Sequence, residues 1–179
     1  MLNNQRLSWV AGYFMRLPSF IYRSTRIGKN GRRFSLYKFR TLIGGFDGNF
    51  ATNEGYTRFG KFLRKTKLDE LPQVVNWLKG DIAIIGPRPE LPETIHLIPA
   101  DIRKIILSRK PGLTSLASIH FADEEKIIQQ GIDNAYDYYV KIKPLKILLD
   151  VFYIQQRDFF LDLWIVWKTA VIVLKSFFK

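Results

Sequence analysis

The stretch KFLRKTKLDELPQVVNWLKGDIAIIGPRP, Lys61–Pro89, decides how the chain is read. A basic segment runs into two adjacent acids, Asp69 and Glu70, then a proline, an apolar-periodic segment and a short apolar run ending in a double-proline turn. The spacing predicts a helix over 57–65 and a second beginning near Thr66 or Lys67, where Thr66-x-x-Asp69 fits a capping box loosely. Pro72 is tolerated within a first turn. Leu71, Val74, Val75 and Leu78 then share one face, and Gly80 can end the helix. IAIIGPRP (Ile82–Pro89) reads as a short buried strand entering a rigid turn.

Upstream, FIYRSTRIGKNGRRFSLYKFRTL (Phe20–Leu42) reads as a β-hairpin, because Asn30-Gly31 tolerates positive φ. Residues 43–55, rich in Gly, Asn and Asp, read as a loop. Downstream, helices are expected over 100–109 (stopped by Pro111), DEEKIIQQG (Asp123–Gly131), 134–142 and 144–156. Few strands and many helices make the class α+β: a small hairpin or sheet with several surrounding helices, amphipathic interfacial helices and no conventional transmembrane span.

The chain has 179 residues, 47% hydrophobic and 15% aromatic, enough for one domain with a real core. Cysteine is absent, which excludes a disulfide framework, and two histidines, His96 and His120, are too few for a His-rich zinc site. Net charge is +12, so an anionic partner is expected: nucleic acid, an anionic membrane surface or phosphorylated substrates. No signal peptide is recognised in LSWVAGYFM (Leu7–Met15), since Arg16 and Pro18 interrupt it. No run of 18 uncharged apolar residues occurs.

The C-terminal segment DFFLDLWIVWKTAVIVLKSFFK (Asp158–Lys179) forms a helical wheel with Asp158, Asp162, Thr169 and Ser176 on one line and Lys168, Lys175 and Lys179 beside it. The rest is apolar, including Trp164, Trp167, Phe177 and Phe178. This pattern suits a helix in a bilayer interface or one packed on the core; the tryptophans and the terminal Phe-Phe-Lys favour the interface.

Placed in the first turn of a helix, Asp69 and Glu70 sit where the macrodipole and free N–H groups favour anions, which would keep Asp69 ionised. Such a carboxylate can attack phosphorus, hold Mg²⁺ with substrate phosphates, or merely satisfy the helix end. Arg64, Lys65 and Lys67 stand nearby to neutralise a diphosphate. Arg88, between Pro87 and Pro89, offers a preorganised guanidinium. Lys38 and Arg40, two apart in a strand, would share a face, for phosphate or simply for solvent.

Together, KFRTL, TRFGKFLRKTKLDELPQVVNWLKGDIAIIGPRPELPE and KPGLTS resemble the bacterial sugar transferases, the monotopic phosphoglycosyl transferases, over about Pro18–Leu174. The resemblance implies transfer of a sugar-1-phosphate from a nucleotide diphosphate sugar, usually a UDP-sugar, to polyprenyl (undecaprenyl) phosphate with release of UMP, as a first step of surface polysaccharide or glycoconjugate synthesis. It further implies Asp69 as nucleophile carrying the phosphosugar, Glu70 assisting, both on Mg²⁺, and Arg64 and Arg88 holding phosphates, with Lys38 and Arg40 as further candidates. The implied place is the cytoplasmic face of the bacterial inner membrane, with no nucleic-acid partner.

The implied organisation is a short remnant of a membrane segment (1–17), a catalytic domain (18–156) and an interfacial helix (157–179). Three departures stand out. The N-terminal segment is too short and polar to repeat the family's membrane-dipping element, which suggests a truncated form, binding through Trp9, Tyr13, Phe14 and the C-terminal helix, or need of a partner membrane subunit or homo-oligomer. Lys67 stands where a small hydroxyl residue is common, and LASIHFADEE follows KPGLTS in place of the commoner Gly, Trp, Gln and Arg. A weakly active or inactive accessory subunit is the alternative expectation.

Overall fold

A computed structural model describes residues 20–41, 57–123 and 137–178. The expected membrane remnant, the 43–55 loop, all of the DEEKIIQQG helix beyond Asp123, and 134–136 lie outside the described residues.

The hairpin forms as its turn chemistry requires. Strands β1 (Ile21–Ile27) and β2 (Arg33–Phe39) pair antiparallel, Ile21 opposite Phe39 and Ile27 opposite Arg33. Between them Asn30 and Gly31 take φ of 57° and 79°, the left-handed region where Asn and Gly meet least steric resistance. Helix α1 (Arg58–Lys65) starts on Thr57, whose hydroxyl accepts from the Gly60 N–H at 2.7 Å.

The second helix departs from the expected one. Thr66 does not cap it: the Thr66 hydroxyl turns back and donates to Phe62 and Leu63 carbonyls at the end of α1. Lys67 takes φ of 60°, which breaks the path, and a single 3₁₀ turn, Leu68–Glu70, precedes α2 (Gln73–Leu78). The acids therefore sit in that turn and not in α2 itself.

The apolar residues of this segment do share a face, and it points outward. Gln73 and Asn76 are buried, Asn76 completely, whereas Leu71, Val74, Val75 and Leu78 face outward. The cause is the Asn76 amide: its Oδ1 accepts from the Tyr37 N–H at 3.1 Å, and its Nδ2 donates to the Ser35 carbonyl at 2.7 Å and to Asp81 at 3.2 Å. Two of the three bonds satisfy backbone groups of β2, so a polar side chain clamps helix to hairpin.

Strand β3 (Ala83–Ile85) pairs parallel with β4 (Gly112–Thr114), a strand the sequence reading did not include. Nor is β3 buried: Ile82 just before it is, but Ala83 and Ile85 are half-buried and Ile84 is exposed. At the end of this pair Gly86 and Gly112 approach so closely that a Cβ on either would collide with the other's backbone. Helix α3 (Ala100–Leu107) ends before Pro111 as expected.

Two further helices complete the core side. Helix α4 (Leu116–His120) is capped by Ser115, and α5 (Lys143–Gln156) follows a π-helical turn, Tyr138–Ile142. The core gathers Ile98, Ile106 and Val151 with Ile95, Ile102, Ile105 and Ile147, joining α3 to α5.

Helix α6 (Phe159–Phe177) packs on β3, β4 and α4 through fully buried Ile165. Its polar line turns toward the domain. Asp158 caps the helix, Asp162 accepts from Tyr153 at 2.7 Å and from Arg157, and Thr169 bonds Thr114 at 2.7 Å. Leu163, Trp167, Leu174 and Phe178, on the far side of the wheel, are exposed. No helix among the described residues is long and apolar enough to cross a membrane.

Candidate active site

The Leu68–Glu70 turn is held between β2 and the end of α1. Lys38, near the end of β2, reaches Glu70 Oε1 at 2.5 Å, and both side chains are mostly shielded. Because Asn76 pins α2 to Ser35 and Tyr37, the spacing between Lys38 and the acids is set by backbone bonds. Lys67 holds its left-handed conformation directly before the turn, a strain of roughly 1–2 kcal/mol for a residue with a Cβ.

The second half of the site is the Gly86–Glu90 segment. Pro87 is buried, and the Arg88 N–H donates to Asp150 Oδ2 of α5 at 3.0 Å. The Pro89 carbonyl accepts from Arg26 at 3.3 Å, the Glu90 carbonyl from the Ile27 N–H at 2.9 Å, and the Glu90 carboxylate from Lys143 at 2.5 Å. The Pro87 carbonyl accepts from the Gly112 N–H at 3.0 Å, so the residues around Arg88 are tied to β4, the hairpin and α5. Arg88 and Glu70 line one cavity of about 610 Å³, together with Lys67 and Lys146.

The two acids differ in character. Burial pushes the Asp69 carboxyl above its ordinary value; Lys38, Arg64 and Lys67 pull the other way, while neighbouring Glu70 adds to the rise. The shift thus runs upward, because desolvation outweighs the surrounding cations. For Glu70 burial also acts upward, but the charges of Lys38 and Arg88 and the Lys38 hydrogen bond outweigh it and hold the carboxyl low.

Of the residues singled out from sequence, the structure brings Asp69, Glu70, Lys38, Arg64 and Arg88 into one electrostatic group, with Glu70 and Arg88 facing the cavity. Arg40 is exposed, one residue past the end of β2, where its N–H still donates to the Phe20 carbonyl at 2.7 Å, and it does not line the cavity. Asn76, Lys143, Lys146 and Asp150 were missed. The available signal was polar residues inside apolar helical stretches, above all Lys146 and Asp150 one turn apart in KPLKILLD.

Among the described residues no group of three or more His, Asp and Glu side chains is gathered as a metal cage. The dyad supplies only two carboxylates, one already paired with Lys38. That sparse donor set fits Mg²⁺ shared with substrate phosphate oxygens, which needs one or two protein carboxylates.

Residues 7–176 match the family model described as bacterial sugar transferase. The chain belongs to the bacterial sugar transferase family. The uncharacterized sugar transferase EpsL of Bacillus subtilis is 36% identical over 158 residues, covering 87% of this chain and 70% of its own length. The UDP-N-acetylgalactosamine-undecaprenyl-phosphate N-acetylgalactosaminephosphotransferase of Aeromonas hydrophila is 32% identical over 167 residues, 88% of this chain and 36% of that protein. The undecaprenyl-phosphate galactose phosphotransferase of Salmonella typhimurium is 29% identical over 175 residues, 87% and 33% respectively. The family's chain here thus spans about a third of the length of the latter two relatives.

The buried Asp150 carries a prediction. Its Oδ1 has no hydrogen-bond partner, and burial, opposed by the Arg88 N–H and assisted by Glu90, pushes its carboxyl from about 3.8 up to about 6. Between these values the folded chain holds a proton that the unfolded chain has lost, so stability should fall as pH rises from about 4 to about 6. Asp150→Asn should remove that part of the slope, about 3 kcal/mol between the two limits, in urea unfolding at pH 4, 5, 6 and 7.

Proposed function

We propose that the chain transfers a sugar phosphate from a nucleotide diphosphate sugar, of which a UDP-sugar is the first to try, to a polyprenyl phosphate such as undecaprenyl phosphate. The observation that carries this is a shielded, burial-activated Asp69 beside a Glu70 that Lys38 locks and that lines one cavity with the rigidly mounted Arg88. The activities for which the Aeromonas and Salmonella relatives are named support the same class of reaction.

In the proposed course Asp69 Oδ attacks the β-phosphorus of the donor. A carboxylate–phosphorus bond forms, the diphosphate P–O bond breaks, and the nucleoside monophosphate leaves with the electron pair. A phosphate oxygen of the lipid then attacks the same phosphorus, forming a new P–O–P bond and releasing the Asp69 carboxylate. A poorly solvated carboxylate is the better nucleophile, while Arg88 and Arg64 offset charge on the phosphoryl oxygens. Lys38 holds Glu70 in place beside the nucleophile. Mg²⁺, held by Asp69 and Glu70 with the donor's diphosphate, would supply further charge neutralisation.

The acceptor is a membrane lipid, and the outward apolar faces of α2 and α6 provide a surface for docking on the bilayer, on the side where nucleotide sugars are found: the cytoplasmic face of the inner membrane. The test is nucleoside monophosphate release by detergent-purified chain with Mg²⁺, undecaprenyl phosphate and a panel of UDP-sugars. Release with one sugar and dependent on the lipid is expected. Silence across the panel from folded, membrane-bound protein would overturn the reading.

A further inference from the structure

The chemistry proposed above uses only one end of the 610 Å³ cavity. The remainder is apolar, walled by Leu71 and Val74 beside and on α2, Ile84 of β3, Phe121, and Val166 and Val173 of α6. Its volume lies in the range of about 300–1,000 Å³ usual for ligand cavities. Leu71, Val74, Ile84 and Val166 are at the same time exposed surface residues, so the rim of the cavity is apolar. A ligand therefore enters across greasy surface rather than from a polar mouth.

The inner end has the opposite character. Lys67, Arg88 and Lys146 reach it against a single acid, Glu70, which Lys38 already pairs. Lys146 is itself buried, its Nζ 3.3 Å from the Tyr138 hydroxyl and set over the rings of Phe121 and Tyr138. It lies one helical turn from Asp150, the residue that holds the Arg88 N–H, so α5 mounts two cations at that end. An apolar slot with a cationic floor and an apolar rim complements one chemical class: an anionic amphiphile with a hydrocarbon tail.

The geometry points to this cavity as the seat of the first isoprenoid units of a prenyl monophosphate, with the phosphate at Arg88 and Lys146 and the rest of the chain passing out between α2 and α6. The head group's identity rests on the proposed transfer reaction; the lipid slot itself does not. Lys146 is then a binding residue for the acceptor, and α6 forms a wall of the site in addition to carrying an outward apolar face.

The test uses the full chain in lipid nanodiscs without donor, irradiated with a diazirine-bearing geranylgeranyl monophosphate. Label is expected within residues 166–174 or at Phe121. Unlabelled geranylgeranyl monophosphate should compete at least tenfold better than geranylgeraniol, and inorganic phosphate alone should not compete. Val173→Trp, which fills the slot, should cut labelling at least tenfold with nucleotide-sugar binding unchanged within twofold; Ala170→Trp, on the exposed side of the same wall, serves if the first variant fails to fold.

Equal competition by the alcohol, label falling on residues 1–19, or labelling indifferent to both tryptophans would overturn the proposal. Labelling as expected without turnover would leave the lipid slot standing and remove the transfer reading. Turnover with label elsewhere would do the reverse.

Discussion

Asp69→Asn should abolish turnover, by at least about 10³-fold, without unfolding the chain. Loss of a nucleophile removes the covalent route altogether, and what survives is binding and charge stabilisation. The stability of this variant should be unchanged or slightly higher. Burial raises the Asp69 carboxyl, so its ionised form is disfavoured by folding, and a neutral amide of the same shape relieves that cost at pH 7.

Glu70→Gln should behave in the opposite way. Its carboxyl is held low by Lys38 and Arg88, so its charge stabilises the fold above the unfolded pKa and that contribution is lost as pH falls through the folded one. The variant should therefore lose thermal stability at pH 7. A nucleotide sugar labelled in the sugar gives the decisive readout: acid-quenched wild type should retain label without acceptor present, and Asp69→Asn should retain none. Retained label on Asp69→Asn, or destabilisation equal to that of Glu70→Gln, would remove Asp69 from the nucleophile's role.

The sequence made the hairpin, α1, α3 and α5 legible because each is set by local chemistry: Asn30-Gly31 at the turn, Thr57 at a helix start, Pro111 beyond a helix end. The dyad and Arg88 were also visible, since paired acids among bases and a double-proline turn are local patterns. What the sequence left open was the direction of α2. Leu71, Val74, Val75 and Leu78 satisfy the rule that an apolar stripe faces the core, yet Asn76 sits inward because β2 presents it with unpaired backbone groups. Nothing in the helix's own periodicity reports those groups. The same holds for Asp150, whose role depends on an Arg88 N–H 62 residues away, and for β4, whose pairing with β3 is a long-range event.

That outward face yields the second large effect. Leu78 on α2 is 74% exposed and Trp167 on α6 is 56% exposed, so neither is held by the core. Replacing both with Asp should leave the thermal transition of the detergent-free monomer within about 0.5 kcal/mol, as surface changes do. In the proposed docking on a bilayer, the same residues become buried in the interface. Removing each forfeits about 1.5–3 kcal/mol of apolar burial at full insertion, and two added acids are repelled by anionic lipid.

Vesicle partitioning of Leu78→Asp/Trp167→Asp, read by flotation with mixed anionic lipids, should weaken at least about a hundredfold, the equivalent of about 3 kcal/mol. High salt should reproduce little of this loss in the wild type, because charge screening leaves the apolar contribution intact. Unchanged flotation would mean that the outward faces of α2 and α6 do not meet lipid. A large drop in thermal stability with flotation unchanged would mean that these two faces are covered by protein, and the polar line of α6, already spent on Tyr153, Arg157 and Thr114, would then have no aqueous counterpart to explain its inward turn.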